Sequence, residues 1–130
     1  MRLLGLFILS WLIGGIAFAA EPAVKVTPLM TKPLVGIEGQ ETAMITVEIP
    51  PGGDSPPHRH NANTFVYVLE GSVVMQVQGG KAVMLRAGQT FYESPTDVHL
   101  VSRNPSSTAP AKLLVVFVKP VGTPLSVPVR

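Results

Sequence analysis

Between residues 42 and 118 the chain is a succession of short runs rich in β-branched residues, and this pattern limits the fold more than any other feature. The clearest runs are residues 42–49, 64–69, 73–77, 82–85, 98–102 and 111–118. Each run is bounded by Gly, Pro, Asn or Asp, which is the signature of a β-strand. No stretch after residue 20 keeps a 3.6-residue hydrophobic period, so no long helix is predicted. Many short strands in 130 residues predict one all-β domain, a sandwich or a small barrel.

The residues between and beyond these runs predict turns and extended ends. Gly79-Gly80 predicts a two-residue hairpin, and Glu70-Gly71-Ser72 predicts a further turn. Residues 20–33 are expected to form an extended lead-in strand. Residues 119–130 contain three prolines and are expected to form an extended tail that crosses to a partner subunit or frays.

The first residues have the order of a secretory signal peptide. Arg2 supplies a positive charge, residues 3–20 carry none, and Ala17-Phe18-Ala19 offers a small-residue cleavage site. The alternative is an uncleaved membrane anchor, because 18 apolar residues can just span a bilayer. The cleavage site favours removal, so we expect a signal peptide over residues 1–19 and a mature domain over residues 20–130. The mature protein is then periplasmic or secreted, without a membrane association.

Composition excludes several classes of protein. The chain has no cysteine, which excludes disulfides, thiolate catalysis and cysteine-ligated metal sites. Its net charge is only +2, with no basic stripe, so we expect no nucleic-acid partner. Hydrophobic residues make up 46% of the chain, which is far too much for a disordered protein.

The three histidines of the chain lie where they can form one site. His58 and His60 are separated by one residue, and on an extended segment alternation places both imidazoles on the same side. His99 begins a later strand, and it supplies a third imidazole if the two strands are neighbours. Three neutral imidazoles suit Fe, Cu, Ni or Zn and leave positions open for water or substrate. The alternative is three surface histidines that merely titrate near neutral pH.

Two segments resemble the conserved motifs of the cupin superfamily. Residues 52–71 resemble the first motif and residues 88–104 the second. The matching residues are Gly52, His58, His60 and Gly71 in the first motif, and Gly88, Pro95, His99 and Asn104 in the second. Only residues 72–87 separate the motifs, as in compact single-domain type-2 cupins. The resemblance implies a single antiparallel jelly-roll β-barrel, a divalent metal held by the three histidines, and commonly a homodimer.

One departure from the first motif concerns the metal. The glutamate of that motif falls on Thr64, or on Phe65 with the alternative spacing, and neither residue can replace a carboxylate ligand. Three neutral imidazoles leave a bound ion fully cationic. We therefore expect weaker binding of hard ions such as Mg²⁺ and Mn²⁺, and a cofactor chosen among Fe, Cu, Ni and Zn.

The same strand suggests the lining of a substrate pocket. If Thr64 faces inward, alternation places Val66 and Val68 on the same face, and an apolar lumen favours an aromatic or aliphatic substrate. Tyr92 is predicted to line this pocket as well. Glu93 is the one candidate for a catalytic acid or base, or for a partner of an imidazole N–H, although a solvated strand end is the favoured alternative.

These observations leave three functions open. The first is a metal-dependent, dioxygenase-like enzyme that acts on a small apolar or aromatic molecule. The second is a non-catalytic barrel that binds a small ligand or a metal ion. The third, a sugar isomerase or epimerase, ranks last because it needs a base beside the sugar carbon, and only Glu93 is available. A small-molecule ligand and a homodimer are expected in each case.

Overall fold

The structure, a computed structural model, describes residues 23–129 as an all-β protein. It contains the strands β1 (Lys25–Pro33), β2 (Gln40–Ile49), β3 (His58–Arg59), β4 (Asn63–Glu70), β5 (Ser72–Val77), β6 (Val83–Arg86), β7 (Thr90–Glu93), β8 (His99–Arg103), β9 (Ala111–Pro120) and β10 (Val127–Pro128). The described residues form no helix, and therefore none that is long and apolar enough to cross a membrane. The predicted signal peptide, residues 1–19, lies outside the described residues.

The strands form two five-stranded sheets with antiparallel pairing. One sheet has the order β1-β2-β9-β4-β7, and the other has the order β10-β3-β8-β5-β6. From β2 onward, every connection except β5 to β6 passes from one sheet to the other, as at Gly71, which alone joins β4 to β5. Each sheet turns one face inward, so burial alternates along β9 from one residue to the next. The predicted all-β jelly-roll fold is confirmed.

The six predicted runs correspond to β2, β4, β5, β6, β8 and β9, with ends that differ by one or two residues. The short strand β7 was not predicted. The two-residue hairpin at Gly79-Gly80 was wrong, because β5 ends at Val77 and β6 begins only at Val83. The expected tail at residues 119–130 folds back on its own barrel, where β10 pairs with β3.

The core lies between the sheets and is centred on β9. This strand pairs with β2 along its whole length and with β4 on its other side. Its inward residues Leu113, Val115 and Phe117 are buried and join one hydrophobic cluster with Val66 of β4 and Met75 of the opposite sheet. Burying side chains of this size stabilises the fold by about 1.5–3 kcal/mol each. The core therefore holds rigidly the strands that carry the site described below.

Asn104, the last residue of the second motif, connects the loops at one end of the barrel. Its buried side-chain amide donates to the carbonyl oxygens of Ile49 and Ala109 at 3.1 and 2.8 Å. Its side-chain oxygen accepts from the backbone N–H of Ser106 at 2.9 Å. This residue is therefore structural and lies away from the histidines.

The outer face of the first sheet carries exposed aromatic residues. Phe65, Tyr67 and Tyr92 are all partly exposed there, and the Phe65 and Tyr92 rings lie 5.3 Å apart. Exposed apolar groups of this kind are typical of contact surfaces. The expected homodimer stays a prediction.

Candidate metal centre

The fold brings the three histidines together at one end of the space between the sheets. His58 lies directly opposite His99 in the antiparallel pairing of β3 with β8, and His60 follows two residues after His58. The ring centroids are 4.7 Å apart for His58 and His60, and 5.0 Å apart for His58 and His99. One nitrogen of each ring lies within 4.8 Å of the other two, a spacing that one metal ion can bridge.

Backbone carbonyls fix the protonation of two of these rings. Nδ1 of His58 lies 2.8 Å from the Pro56 carbonyl oxygen, and Nδ1 of His60 lies 2.5 Å from that of Leu125. A carbonyl oxygen can only accept a hydrogen bond, so each Nδ1 carries a proton and Nε2 is the atom of each ring that is available to a metal. The two Nε2 atoms are 3.2 Å apart. One metal ion can therefore bind both.

Burial keeps the third imidazole, that of His99, neutral. His99 is buried, and neither ring nitrogen has a hydrogen-bond partner among the described residues. Burial, followed by the neighbouring His58 and His60, lowers the pKa of His99 to about 4. Burial also lowers the pKa of His60. Neutral imidazole is the form that binds metals, so this donor set fits a divalent transition metal.

A buried carboxylate completes the cluster. Glu93 is 2% exposed; its Oε1 lies 3.2 Å from Nδ1 of His99, and its Oε2 lies 3.7 Å from Nε2 of His60. Burial, with a smaller contribution from Asp97, raises the pKa of Glu93 to about 7. The solvated strand end favoured from the sequence is therefore wrong, because pairing with β4 turns Glu93 inward.

The histidines and Glu93 line an apolar cavity of about 390 Å³ between the sheets. The first sheet contributes Ile45, Val47, Val66, Leu113, Val115 and Phe117. Met75 of the opposite sheet and Leu125 of the C-terminal segment add further apolar walls. Among residues 23–129, the polar side chains of this lining are the three histidines, Glu93 and three serines, with no Lys or Arg. A cavity of this size and character accommodates a small, mostly apolar molecule.

The residues predicted for the pocket occupy three different environments. Val66 lines the cavity. Thr64 and Val68 face inward but are fully buried, and they do not reach the cavity surface. The prediction that Tyr92 lines the pocket is wrong, because this residue is 50% exposed on the outer face, where its hydroxyl donates to Asn63. Glu93 faces inward, so alternation along β7 places Tyr92 outside.

Several lining residues were missed at the sequence level. Residues 113–118 are apolar at every position. Alternation alone therefore did not tell whether the set of alternate residues that contains Val115 or the set that contains Val116 faces inward. The contribution of Leu125 to His60 is a backbone carbonyl, for which a sequence carries no residue-specific signal. The inward direction of Glu93 follows only from its register with β4.

Sequence comparisons agree with this architecture. The family model described as Cupin domain matches residues 45–117. Germin-like protein 3-1 of Oryza sativa subsp. japonica is 35% identical over 86 residues, which covers 62% of this chain. The match spans only 38% of the germin-like protein, so the chain corresponds to a minor part of that relative.

Solved structures share the fold. A recombinant oxalate oxidase in complex with glycolate superposes with a TM-score of 0.65 and 25% identity, over 84% of this chain and 57% of the oxidase. The DMSP lyase DddQ from Ruegeria pomeroyi has a TM-score of 0.60 and 23% identity, over 67% of this chain and 42% of the lyase. A Thermus thermophilus protein matches with a TM-score of 0.57 and 26% identity, over 75% of this chain and 84% of its own.

Proposed function

Since the chain belongs to the cupin domain family, we propose that it binds a divalent transition metal through His58, His60 and His99 and acts on a small apolar molecule. The observation that carries this proposal is the pair of Nε2 atoms, 3.2 Å apart, in two rings that each direct Nδ1 at a backbone carbonyl oxygen. A transition metal supplies Lewis acidity and, in the case of iron or copper, chemistry with O₂. Fe, Cu, Ni and Zn all suit this imidazole-rich set.

The chain itself contributes orientation and exclusion of water. The carbonyls of Pro56 and Leu125 hold His58 and His60 in one tautomer and one orientation. The ring of Phe117 packs 5.0 Å from that of His60 and limits its movement. The apolar walls lower the local dielectric constant, which strengthens electrostatic interactions between the site and a bound molecule.

The lining favours an apolar or aromatic molecule as the substrate. A sugar or a small organic acid needs several hydrogen-bond donors or a cationic side chain, and the part of the lining that the structure describes includes no Lys or Arg. Similar structures include an oxalate oxidase and a DMSP lyase, which shows that this fold carries reactions on small molecules. We therefore propose a dioxygenase-like activity on phenols, diketones or related compounds.

A non-catalytic binding protein is the second candidate. It is favoured by the scarcity of groups that can move a proton, because Glu93 is the one carboxylate that the described residues contribute to the lining. In that case the ligand is bound tightly and released unchanged. Prolonged incubation of the metal-loaded protein with the same compounds separates the two functions, because an enzyme consumes the compound and a binding protein does not.

Metal analysis of the untagged mature protein, residues 20–130, tests the site first. We expect about one Fe, Cu, Ni or Zn ion per chain after reconstitution, and none in a His58→Ala/His60→Ala variant of unchanged circular dichroism. A wild-type protein that remains empty with all four metals excludes the proposal. Oxygen uptake with a panel of phenols and diketones then tests the activity, and no uptake or turnover with any compound favours the binding protein.

We also propose that the protein works outside the cytoplasm. The order of charge, apolar segment and Ala-Phe-Ala in residues 1–19 supports this proposal. Expression of the full chain in a bacterial host, followed by fractionation and N-terminal sequencing, tests it. A periplasmic product that begins at Ala20 is expected, and a cytoplasmic product that retains residues 1–19 contradicts the proposal.

A further inference from the structure

The carboxylate missing from the first motif has a substitute on the neighbouring strand. Thr64 occupies the position of the motif's glutamate, and its hydroxyl donates to the Ala62 carbonyl oxygen at 3.4 Å. In the pairing of β4 with β7, Glu93 lies directly opposite Thr64. Side chains of directly opposite residues project from the same face, with Cβ atoms about 4.5–5.5 Å apart. A carboxylate on either strand therefore enters the same space.

The carboxylate of Glu93 lies against two of the three imidazoles. Its oxygens are 3.2 Å from Nδ1 of His99 and 3.7 Å from Nε2 of His60. With bonds of about 2.0–2.2 Å to one ion, neighbouring ligand atoms lie about 3 Å apart or slightly more. The carboxylate therefore needs only a small adjustment to share an ion with the histidines.

Three polar atoms at this contact are buried and have no hydrogen-bond partner among the described residues. Oε1 of Glu93 and both ring nitrogens of His99 have no hydrogen-bond partner within residues 23–129, although two of these atoms are 3.2 Å apart. The ion-pair partners of Glu93 in this range are histidines, and none is a lysine or an arginine. Buried charges and polar groups without partners are costly, and a cation at the centre of the cluster removes that cost.

We propose that Glu93 is the carboxylate ligand of the metal site, in place of the glutamate that Thr64 has replaced. This inference rests on the proposed function, because it requires an ion at the three histidines. The site then has three imidazoles and one carboxylate, with the carboxylate on β7 instead of β4. One negative charge favours harder ions, so the protein binds Mn²⁺ as well as the imidazole-preferring metals.

Titration of the mature protein with Mn²⁺ and Zn²⁺, by calorimetry and by electron paramagnetic resonance of Mn²⁺, tests this assignment. Glu93→Gln keeps the shape of the side chain and removes its charge. We expect it to weaken Mn²⁺ binding at least about 10-fold, and Zn²⁺ binding less. Glu70→Gln, which removes an exposed carboxylate from β4, serves as the matched control and leaves both affinities unchanged.

An exchange variant makes the test specific. Thr64→Glu/Glu93→Thr moves the carboxylate to the motif's own position, and we expect it to restore Mn²⁺ binding to within about 10-fold of wild type. If Glu93→Gln binds Mn²⁺ as wild type does, Glu93 is not a ligand. If it weakens both ions equally and the exchange restores neither, Glu93 only orients His99, and the assignment is wrong. If the wild-type protein binds no metal at all, the proposed function fails and this inference fails with it.

Discussion

Nδ1 of His60 donates a hydrogen bond to the carbonyl oxygen of Leu125, 65 residues further along the chain. The same C-terminal segment forms β10, whose residues pair with β3 in the register Val127↔Arg59 and Pro128↔His58. The segment therefore supports both histidines of the first motif. It accepts a hydrogen bond from the side chain of His60, and it pairs with the backbone at His58. A stretch that looks like a tail in the sequence is part of the site.

Removal of residues 122–130 is predicted to weaken the metal site without unfolding the barrel. The central strands β2, β4 and β9 do not include this segment, whereas His60 loses its carbonyl partner. Loss of such an outer partner costs about 10–100-fold in metal affinity. Zinc calorimetry and circular dichroism check both parts, with deletion of residue 130 alone as the control. Equal affinities for the two truncations would show that the segment does not support the site.

The stability of the metal-free protein is predicted to depend on pH through Glu93. Burial raises the pKa of Glu93 from 4.5 to about 7 in the folded state. Its contribution to stability is therefore fully present below pH 4.5 and is lost as the pH rises through about 7. Glu93→Gln lacks this loss. Its free energy of unfolding, relative to that of wild type, should therefore increase by on the order of 3 kcal/mol between pH 4 and pH 8.

Urea denaturation with a chelator at pH 4, 6 and 8 measures this difference. His99 acts with the opposite sign, because its pKa is lowered to about 4 and its contribution is lost as the pH falls from about 6.5 toward 4. That contribution is present in both proteins and largely cancels in the comparison. A constant difference between variant and wild type at all three pH values would contradict the prediction.

Two glycines with the same backbone conformation are predicted to differ in their tolerance of alanine. Gly71 has φ +72°, and an added Cβ would lie 2.5 Å from the Pro110 carbonyl oxygen; Gly79 has φ +81° and open space. Alanine in this conformation costs about 1–2 kcal/mol, which is the whole effect expected at Gly79. Gly71→Ala adds a clash with backbone and should cost clearly more. Urea denaturation of both variants tests the ranking, which fails if the two are equally stable.

Val47→Trp is predicted to block ligand entry and spare the metal. Val47 is half-buried and lines the cavity beside Val26, where the larger side chain reduces the available volume. Phenol binding to the Co²⁺-loaded protein, followed by visible absorption, should be lost, while Co²⁺ affinity changes less than about 3-fold. Thr46→Trp, one residue away on the other face of β2, is the control. Phenol binding by Val47→Trp equal to that of the control would place the ligand elsewhere.

Much of the strand content and the shared side of His58 and His60 could be predicted because both depend on local periodicity. Alternation of β-branched residues located β2, β4, β5, β8 and β9 within one or two residues. Alternation also placed His58 and His60 on one side of an extended segment, and their Nε2 atoms are 3.2 Å apart. Strand β7 was missed because its four residues, Thr90–Glu93, are too few to show a pattern.

By itself, then, the sequence determined an all-β chain with two cupin-like motifs, three histidines able to meet and an apolar interior. Only the tertiary structure decided which face of each strand is the inner one. Pairing with β4 turns Glu93 inward and Tyr92 outward, and the return of the chain brings the Leu125 carbonyl to His60. The reason is physical: alternation repeats every two residues within a strand, but the choice between its two faces is made by the register with strands distant in sequence.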